Sequence, residues 1–437
     1  MAKKKSKSKE PAVFGGDKAV TESLPRWPWV TDEEIEEVHQ ALVESREDWT
    51  QICTAGPGGR AGQLEERFAD YIGVSHAIAT AGGGPSLHMA CMSALQMGDE
   101  VITSPYSWGQ TVSCILQAGG VPIFADIHPE TLTLDPAGIE EKITEHTKAI
   151  VVVHIGGIPA DMDAIMEIAG RHGLMVIADC AQAHGSLYKG KQVGSFAHYG
   201  CFSIGSGKNL AAGDGGVLVT DDRELYERAL LAGMHPMRTR NQIQTPELQE
   251  RIDSLIYTYR INALTAALAL RMMDRLDELN GWRRRNVAAL AEELDGVPGI
   301  RPQRLPDHLD PAWHIAYWTF VPEEVEGASR AQYLKALQAE GVPMGGSYVG
   351  TPIHMRRTFQ RKEFQFGKGY PWAANPRNDE IAYAEGDCPV AEKRCREGDI
   401  TMYGGSCWKD VSKVTNQIGK AFRKVTAQIG RLKDIEA

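Results

Sequence analysis

The chain has 437 residues, of which 57 are acidic and 47 basic, for a formal net charge of −10. That balance argues against nucleic acid as the main partner, which calls for a basic face. The length is ample for a large core and two or three domains. Eight cysteines without a single C-x-x-C pair argue against a disulfide scaffold, and no metal site is expected from their spacing.

The opening "MAKKKSKSKE" is the only basic run. No apolar stretch follows it, so residues 1–12 read as a disordered basic tail rather than a secretory signal. A cytoplasmic location with reduced thiols is the expectation. The greasiest run, "AIVVVHIGGI" (residues 149–158), is too short to cross a membrane, and no membrane partner is expected.

From residue 75 to residue 220, short apolar runs alternate with amphipathic ones. "HAIATA" (76–81), "DEVITSP" (99–105), "VPIFADI" (121–127), "KAIVVVHI" (148–155), "LMVIADC" (174–180), "YGCFSIG" (199–205) and "GGVLVT" (215–220) predict seven strands covered on both faces. Helices are predicted between them at 85–98, 109–120, 135–146 and 161–173, several ending in glycine. The alternation implies an α/β fold with a central, mostly parallel seven-stranded sheet flanked by helices. Residues 261–296 then predict one long helix, or two joined near Gly281. Further on come a strand in "WHIAYWTFVP" (313–322) and helices at 329–341 and 408–429. Residues 345–377 have little periodicity and read as a long functional loop. The layout is a large α/β domain over 13–290, its segment 13–50 packing on a smaller α+β domain over 291–437.

The stretch "FSIGSGKNLAAGDGG" (202–216) poses the chemical question. A phosphate-binding P-loop needs a glycine five positions before the Gly-Lys pair and a hydroxyl after it. Phe202 and Asn209 stand there instead. The other reading makes Lys208 a covalent catalyst that condenses with pyridoxal 5′-phosphate. That cofactor needs a carboxylate for its ring nitrogen, a phosphate cup and a flat partner. Asp179 follows a buried strand, and Gln182 stands three residues on, within reach of a ring hydroxyl. The glycine turn at Gly83 and Gly84 opens a helix whose free N–H groups attract anions. Trp108 follows the next strand and offers an indole to stack. Ser203 precedes Lys208 and adds a hydroxyl to the cup. Singly, each has an ordinary structural explanation: a turn, a βα junction, a core tryptophan. Jointly they all sit at carboxyl ends of strands of one sheet, where open α/β sheets bind ligands.

The order "GGGPSLH", "PYSW", "ADCAQAHG", "FSIGSGKNL", "GDGG", "YTYRINALTAAL" resembles the DegT/DnrJ/EryC1/StrS family of pyridoxal-phosphate-dependent sugar aminotransferases. The likeness extends from "FGGDKAV" and "PRWPWVTDEE" to "CPVAEKRC", nearly the whole chain, and the opening is most like the branch acting on cyclitol ketones and aminobenzoate precursors in antibiotic biosynthesis. The resemblance implies a fold-type-I enzyme, a homodimer with shared active sites, Lys208 as the Schiff-base lysine, Asp179 as the pyridinium partner and Thr258 reaching the phosphate of the other subunit. Two departures stand out. The family's Gly-Thr phosphate pair is Gly83-Gly84 here, and its cross-dimer Asn is Thr258. The implied reaction moves an amino group from glutamine or glutamate to a keto-sugar or keto-cyclitol. His184, His235, Arg238, Tyr348 and His354 are candidates to read that substrate. A dehydratase, a cyclising enzyme and a non-catalytic partner subunit are the alternatives.

Overall fold

The seven predicted strands form one sheet. In the computed structural model, which describes residues 9–365 and 367–436, they are β1 (His76–Thr80), β2 (Glu100–Thr103), β3 (Val121–Phe124), β4 (Thr147–Val153), β5 (Met175–Asp179), β6 (Tyr199–Ser203) and β7 (Gly216–Thr220). Their order is β1-β7-β6-β5-β4-β2-β3. All run parallel except β7, which lies antiparallel between β1 and β6. The carboxyl ends of the six parallel strands therefore share one edge.

The unbroken apolar character of these strands has a direct cause. Successive side chains point to opposite faces. Ile150, Val152, Val176, Ala178, Val217 and Val219 belong to one core, whereas Ala149, Val151, Ile177 and Leu218 belong to another on the opposite face. Each fully buried aliphatic side chain contributes roughly 1.5–3 kcal/mol. Helices Gly59–Ile72 and Ala263–Met273 line the first core; helices Gly83–Ala94 and Arg223–Gly233 line the second.

Two predicted helices differ from expectation. Residues 135–146 form only two 3-10 turns, Pro136–Gly138 and Glu140–Lys142. The chain turns extended at Ile143, and Thr147 Oγ1 accepts the N–H of Thr144, a local bond that competes with helix continuation. The 261–296 stretch is two helices, Ala263–Met273 and Leu276–Leu294, but the break falls at Arg275 rather than Gly281. Arg275 is drawn out of helical geometry with its Nε 2.8 Å from the buried Glu34 carboxylate.

A second, antiparallel sheet joins β8 (Ile300–Pro302), β9 (Ile315–Phe320) and β10 (Asp399–Tyr403), with β9 central. Trp318, Phe320, Tyr333 and Phe422 fill its core. Helix Leu276–Leu294 links the two cores: Leu276 belongs to the first, and Val287, Leu290 and Leu294 to this one. The boundary placed at residue 290 thus falls inside a continuous helix.

Of the expected basic tail, residues 1–8 lie outside the described residues. Pro11 is buried, and the N–H of Ala12 donates to the buried Glu340 carboxylate at 2.6 Å. Glu340 also accepts from Ala19 N–H and pairs with Lys424, and Val20 packs in the second core. Helix Asp32–Glu44 then crosses to pack on Ala263–Met273. Residues 345–377 are less loop-like than expected: they carry short helical turns and a hairpin, and Trp372 is fully buried with its indole N–H on Tyr383 Oη. No helix among the described residues is long and apolar enough to cross a membrane.

Ile177 is central to the sheet and fully buried. Ile177→Ala is expected to cost about 2–5 kcal/mol, read as a lowered urea midpoint at unchanged m-value.

Candidate active site

At the carboxyl edge of the large sheet, β1, β2, β5 and β6 feed their following residues into one cavity of about 230 Å³. Gly83 and Gly84 follow β1, Trp108 follows β2, and Asp179 and Gln182 come from the end of β5. Ser203 closes β6, Lys208 comes from the loop beyond it, and Tyr348 arrives from the 345–377 segment. A larger groove of about 1220 Å³ lies elsewhere, against helix Arg223–Gly233; it contains none of these groups.

Two hydrogen bonds hold Asp179. The Thr111 hydroxyl donates to Oδ2 at 2.7 Å, and the N–H of Ala181 donates to Oδ1 at 3.1 Å. Since Thr111 gives its proton to the carboxylate, Ser107 Oγ, 2.8 Å away, is the donor to Thr111. Burial raises the Asp179 carboxyl above its ordinary range, opposed by the Thr111 bond, the Ala181 N–H and the positive charge of Lys208. Burial lowers the Lys208 ammonium, and the Asp179 charge opposes that shift.

The Lys208 loop is held from both sides. Its N–H donates to Gly205 O at 2.8 Å, and its carbonyl accepts the indole N–H of Trp27 at 2.9 Å. The Tyr403 hydroxyl donates to Gly207 O. Asn209, the residue that breaks the P-loop pattern, is buried and donates to Asn280 Oδ1 and Ala312 O. Arg283 donates to the same Asn280 oxygen at 2.8 Å and lies 4.6 Å from the Trp27 ring centroid.

Gln182 accepts the N–H of Gly156 through Oε1 at 2.7 Å, so its NH₂ is the end turned to Tyr348 Oη, 3.3 Å away. Trp108 is 62% exposed, an indole with most of its surface uncovered beside the cavity. Gly83 approaches Ser203 so closely that an added Cβ would lie 2.5 Å from the serine Cβ. The amides of Gly83 and Gly84 head helix Gly83–Ala94.

Several predicted site residues are placed elsewhere. His184 is buried edge-on to Phe68 and tilted against Phe202, and burial lowers its pKa to about 3. His354 is buried against Glu392 at 3.0 Å and Phe124. His235 caps a short helix, its Nδ1 accepting from Met237 N–H. Arg238 is buried in a two-pronged pair with Glu65, at 2.8 and 2.9 Å. Thr258 is exposed and does not line the cavity, standing between Tyr257 and Tyr259, whose rings stack at 5.4 Å. Of the five residues expected to read substrate, the structure brings only Tyr348 to the cavity. Thr111, Ser107 and Gln110 line it unpredicted. The signal for the first is a hydroxyl in the first turn after a strand end, three residues beyond Trp108.

The Arg238–Glu65 geometry implies a structural role. Arg238→Met leaves the half-buried Glu65 carboxylate without its guanidinium and is expected to cost about 3 kcal/mol in urea unfolding.

Comparison with known proteins accords with this geometry. The model of the DegT/DnrJ/EryC1/StrS aminotransferase family matches residues 30–382. The chain is 35% identical over 432 residues to an L-glutamine:2-deoxy-scyllo-inosose aminotransferase of Streptomyces paromomycinus, covering 95% of this chain and 97% of that one. It is 34% identical over 344 residues to the spore coat polysaccharide biosynthesis protein SpsC of Bacillus subtilis, covering 78% of this chain and 85% of that one. Its fold is similar to the crystal structure of an aminotransferase from Psychrobacter cryohalolentis, with a TM-score of 0.79, 26% identity, and coverage of 93% and 100% of the two chains. The chain belongs to the DegT/DnrJ/EryC1/StrS aminotransferase family.

Proposed function

We propose that the protein is a pyridoxal-phosphate-dependent aminotransferase that moves the amino group of L-glutamine to the keto group of a cyclitol of the 2-deoxy-scyllo-inosose kind. The observation that carries this reading is the meeting of Lys208, Asp179 and Trp108 in one cavity beside the unpartnered amides of Gly83 and Gly84. The named relative in Streptomyces paromomycinus, similar over nearly the full length of both chains, supports the donor and the acceptor class.

The residues fit the cofactor. The helix N-terminus at Gly83–Gly84 and the Ser203 hydroxyl suit a phosphate. Asp179, oriented by Thr111 and Ala181, suits a pyridinium nitrogen. The NH₂ of Gln182 suits a ring oxygen, and the exposed Trp108 face suits the ring itself. When bound, pyridoxal phosphate supplies an aldehyde for amines and a cationic ring that withdraws electrons from the carbon next to the nitrogen.

The chain's own groups do the rest. Lys208, its pKa lowered by burial, supplies a neutral amine as nucleophile. Lys208 Nζ would take the proton from the donor's α-carbon and, in the second half-reaction, would give one to the carbon of the acceptor's keto group. Asp179, held by Thr111 and the Ala181 N–H, would pair with a protonated ring nitrogen. Tyr348, the residue of the 345–377 segment that lines the cavity, offers its hydroxyl to the acceptor.

We extend the reading to a cytoplasmic homodimer. Leu255 is 91% exposed, with Tyr257 and Thr258 also uncovered and outside the cavity of their own chain. A second copy docking there accounts for that exposure and puts Thr258 within reach of the neighbouring phosphate. All eight cysteines are free, in keeping with a reducing compartment.

Borohydride treatment of the cofactor-loaded protein is expected to fix a pyridoxyl label on the peptide carrying Lys208, read by mass spectrometry, and Lys208→Ala to carry none. With L-glutamine and 2-deoxy-scyllo-inosose, Asp179→Asn is expected to lose about 10²–10⁴-fold in kcat/KM. Formation of pyridoxamine phosphate from L-glutamine separates the transaminase from a dehydratase, a cyclising enzyme or a silent subunit. The pH dependence has a definite sign. The cofactor-binding rate should rise through an apparent pKa below the ordinary lysine range. Because the Asp179 charge holds the Lys208 pKa up, Asp179→Asn should move that midpoint lower still.

A further inference from the structure

We propose that the side-chain amide of Gln110 is a donor to the cofactor phosphate, occupying the space that a side chain at position 84 would take. The inference rests on the reading of the cavity as a pyridoxal phosphate site.

The first turn of helix Gly83–Ala94 is short of donors. Pro85 has no N–H, and the N–H of Ser86 is spent on Gly82 O at 3.1 Å. Only the amides of Gly83 and Gly84 remain for an anion. Ser203 adds a single hydroxyl proton. A phosphate dianion presents three acceptor oxygens, each with room for more than one hydrogen bond. The cup as so far described leaves part of that capacity to water.

Gln110 fills the gap. It is the second residue of helix Gly109–Gln117, and it lines the same cavity as Gly83, Gly84, Ser203 and Lys208. Its amide lies against Gly84: a Cβ built there would sit 2.2 Å from Nε2 and 2.6 Å from Cδ. Gly84 is helical, with no left-handed backbone to require glycine. A side chain at 84 would displace the Gln110 amide, the movable end of a flexible side chain that occupies that space. Gln110 is exposed and its side-chain amide makes no hydrogen bond within the described residues, so its two protons are free for an anion held at the neighbouring helix N-terminus. The NH₂ group offers two protons where a threonine hydroxyl at 84 would offer one. The Gly84–Gln110 pair thus moves the side-chain donor from one helix N-terminus to the neighbouring helix.

The test measures cofactor affinity rather than turnover. Apo-protein is titrated with pyridoxal phosphate and, in parallel, with pyridoxal, which lacks the phosphate, following absorbance and borohydride-fixed label. Gln110→Ala is expected to weaken pyridoxal phosphate about 10-fold or more, as loss of a charge-assisted hydrogen bond does, and to leave pyridoxal unchanged. The double variant Gly84→Thr/Gln110→Ala returns a hydroxyl to the vacated space and should recover most of the lost affinity. Unchanged or tighter pyridoxal phosphate binding by Gln110→Ala would overturn the proposal and leave Gln110 as an exposed residue of the helix's first turn. An equal loss for both compounds, or no recovery in the double variant, would overturn it as well. Failure of the underlying reading looks different: wild-type protein would then take up no label at Lys208 from either compound.

Discussion

A lysine amine and an aspartate carboxylate share one small cavity, and burial works against the charge of both. Water removal pushes Asp179 up and Lys208 down, while their mutual attraction pulls each back toward its ionised form. The opposition is useful because it is unequal. Asp179 has a hydroxyl and a backbone N–H to hold it as an anion, whereas the pull of Asp179 is the one influence that raises Lys208. The carboxylate is therefore oriented in advance, and the amine is the group left free to move and to lose its proton.

Holding the loop that carries that amine takes residues from all along the chain. Trp27 grips its carbonyl, Asn280 and Ala312 grip the next residue, and Tyr403 grips the one before. Tyr403 ends β10, an edge strand of the small sheet, Asn280 stands on the helix that joins the two cores, and Trp27 lies in the N-terminal segment. Tyr403 thereby ties the small sheet to the loop that carries Lys208. The buried Glu340, tying Ala12, Ala19 and Lys424 together, anchors the N-terminal segment on the small sheet on the way to Trp27.

Much of this architecture is legible in the order of residues alone. The seven strands are legible because a strand covered on both faces has few polar positions away from its ends, and that leaves a run rich in Val, Ile and Ala. Asp179, Trp108 and Ser203 are legible because a polar or aromatic residue at the end of such a run must face the sheet edge. The helices are less so. The 135–146 segment has a helical pattern, but Thr144 and Thr147 satisfy one another locally and end it. The 261–296 break is set by Arg275 reaching a carboxylate more than two hundred residues away. The histidines and Arg238 resemble substrate contacts in the sequence because isolated polar residues in a loop carry no sign of their partners. Their partners, Glu65 and Glu392 among them, are distant along the chain.

The sequence by itself determined the α/β architecture, the edge of the sheet where the candidate residues gather, and their types, because periodicity and strand ends are local properties of a chain. Only the tertiary structure decided which of the scattered polar side chains reach the cavity, that Gln110 stands in the space above Gly84, and that two cores jointly hold Lys208. Those outcomes depend on which distant groups come into hydrogen-bonding contact with one another, and a linear pattern carries no record of such distances.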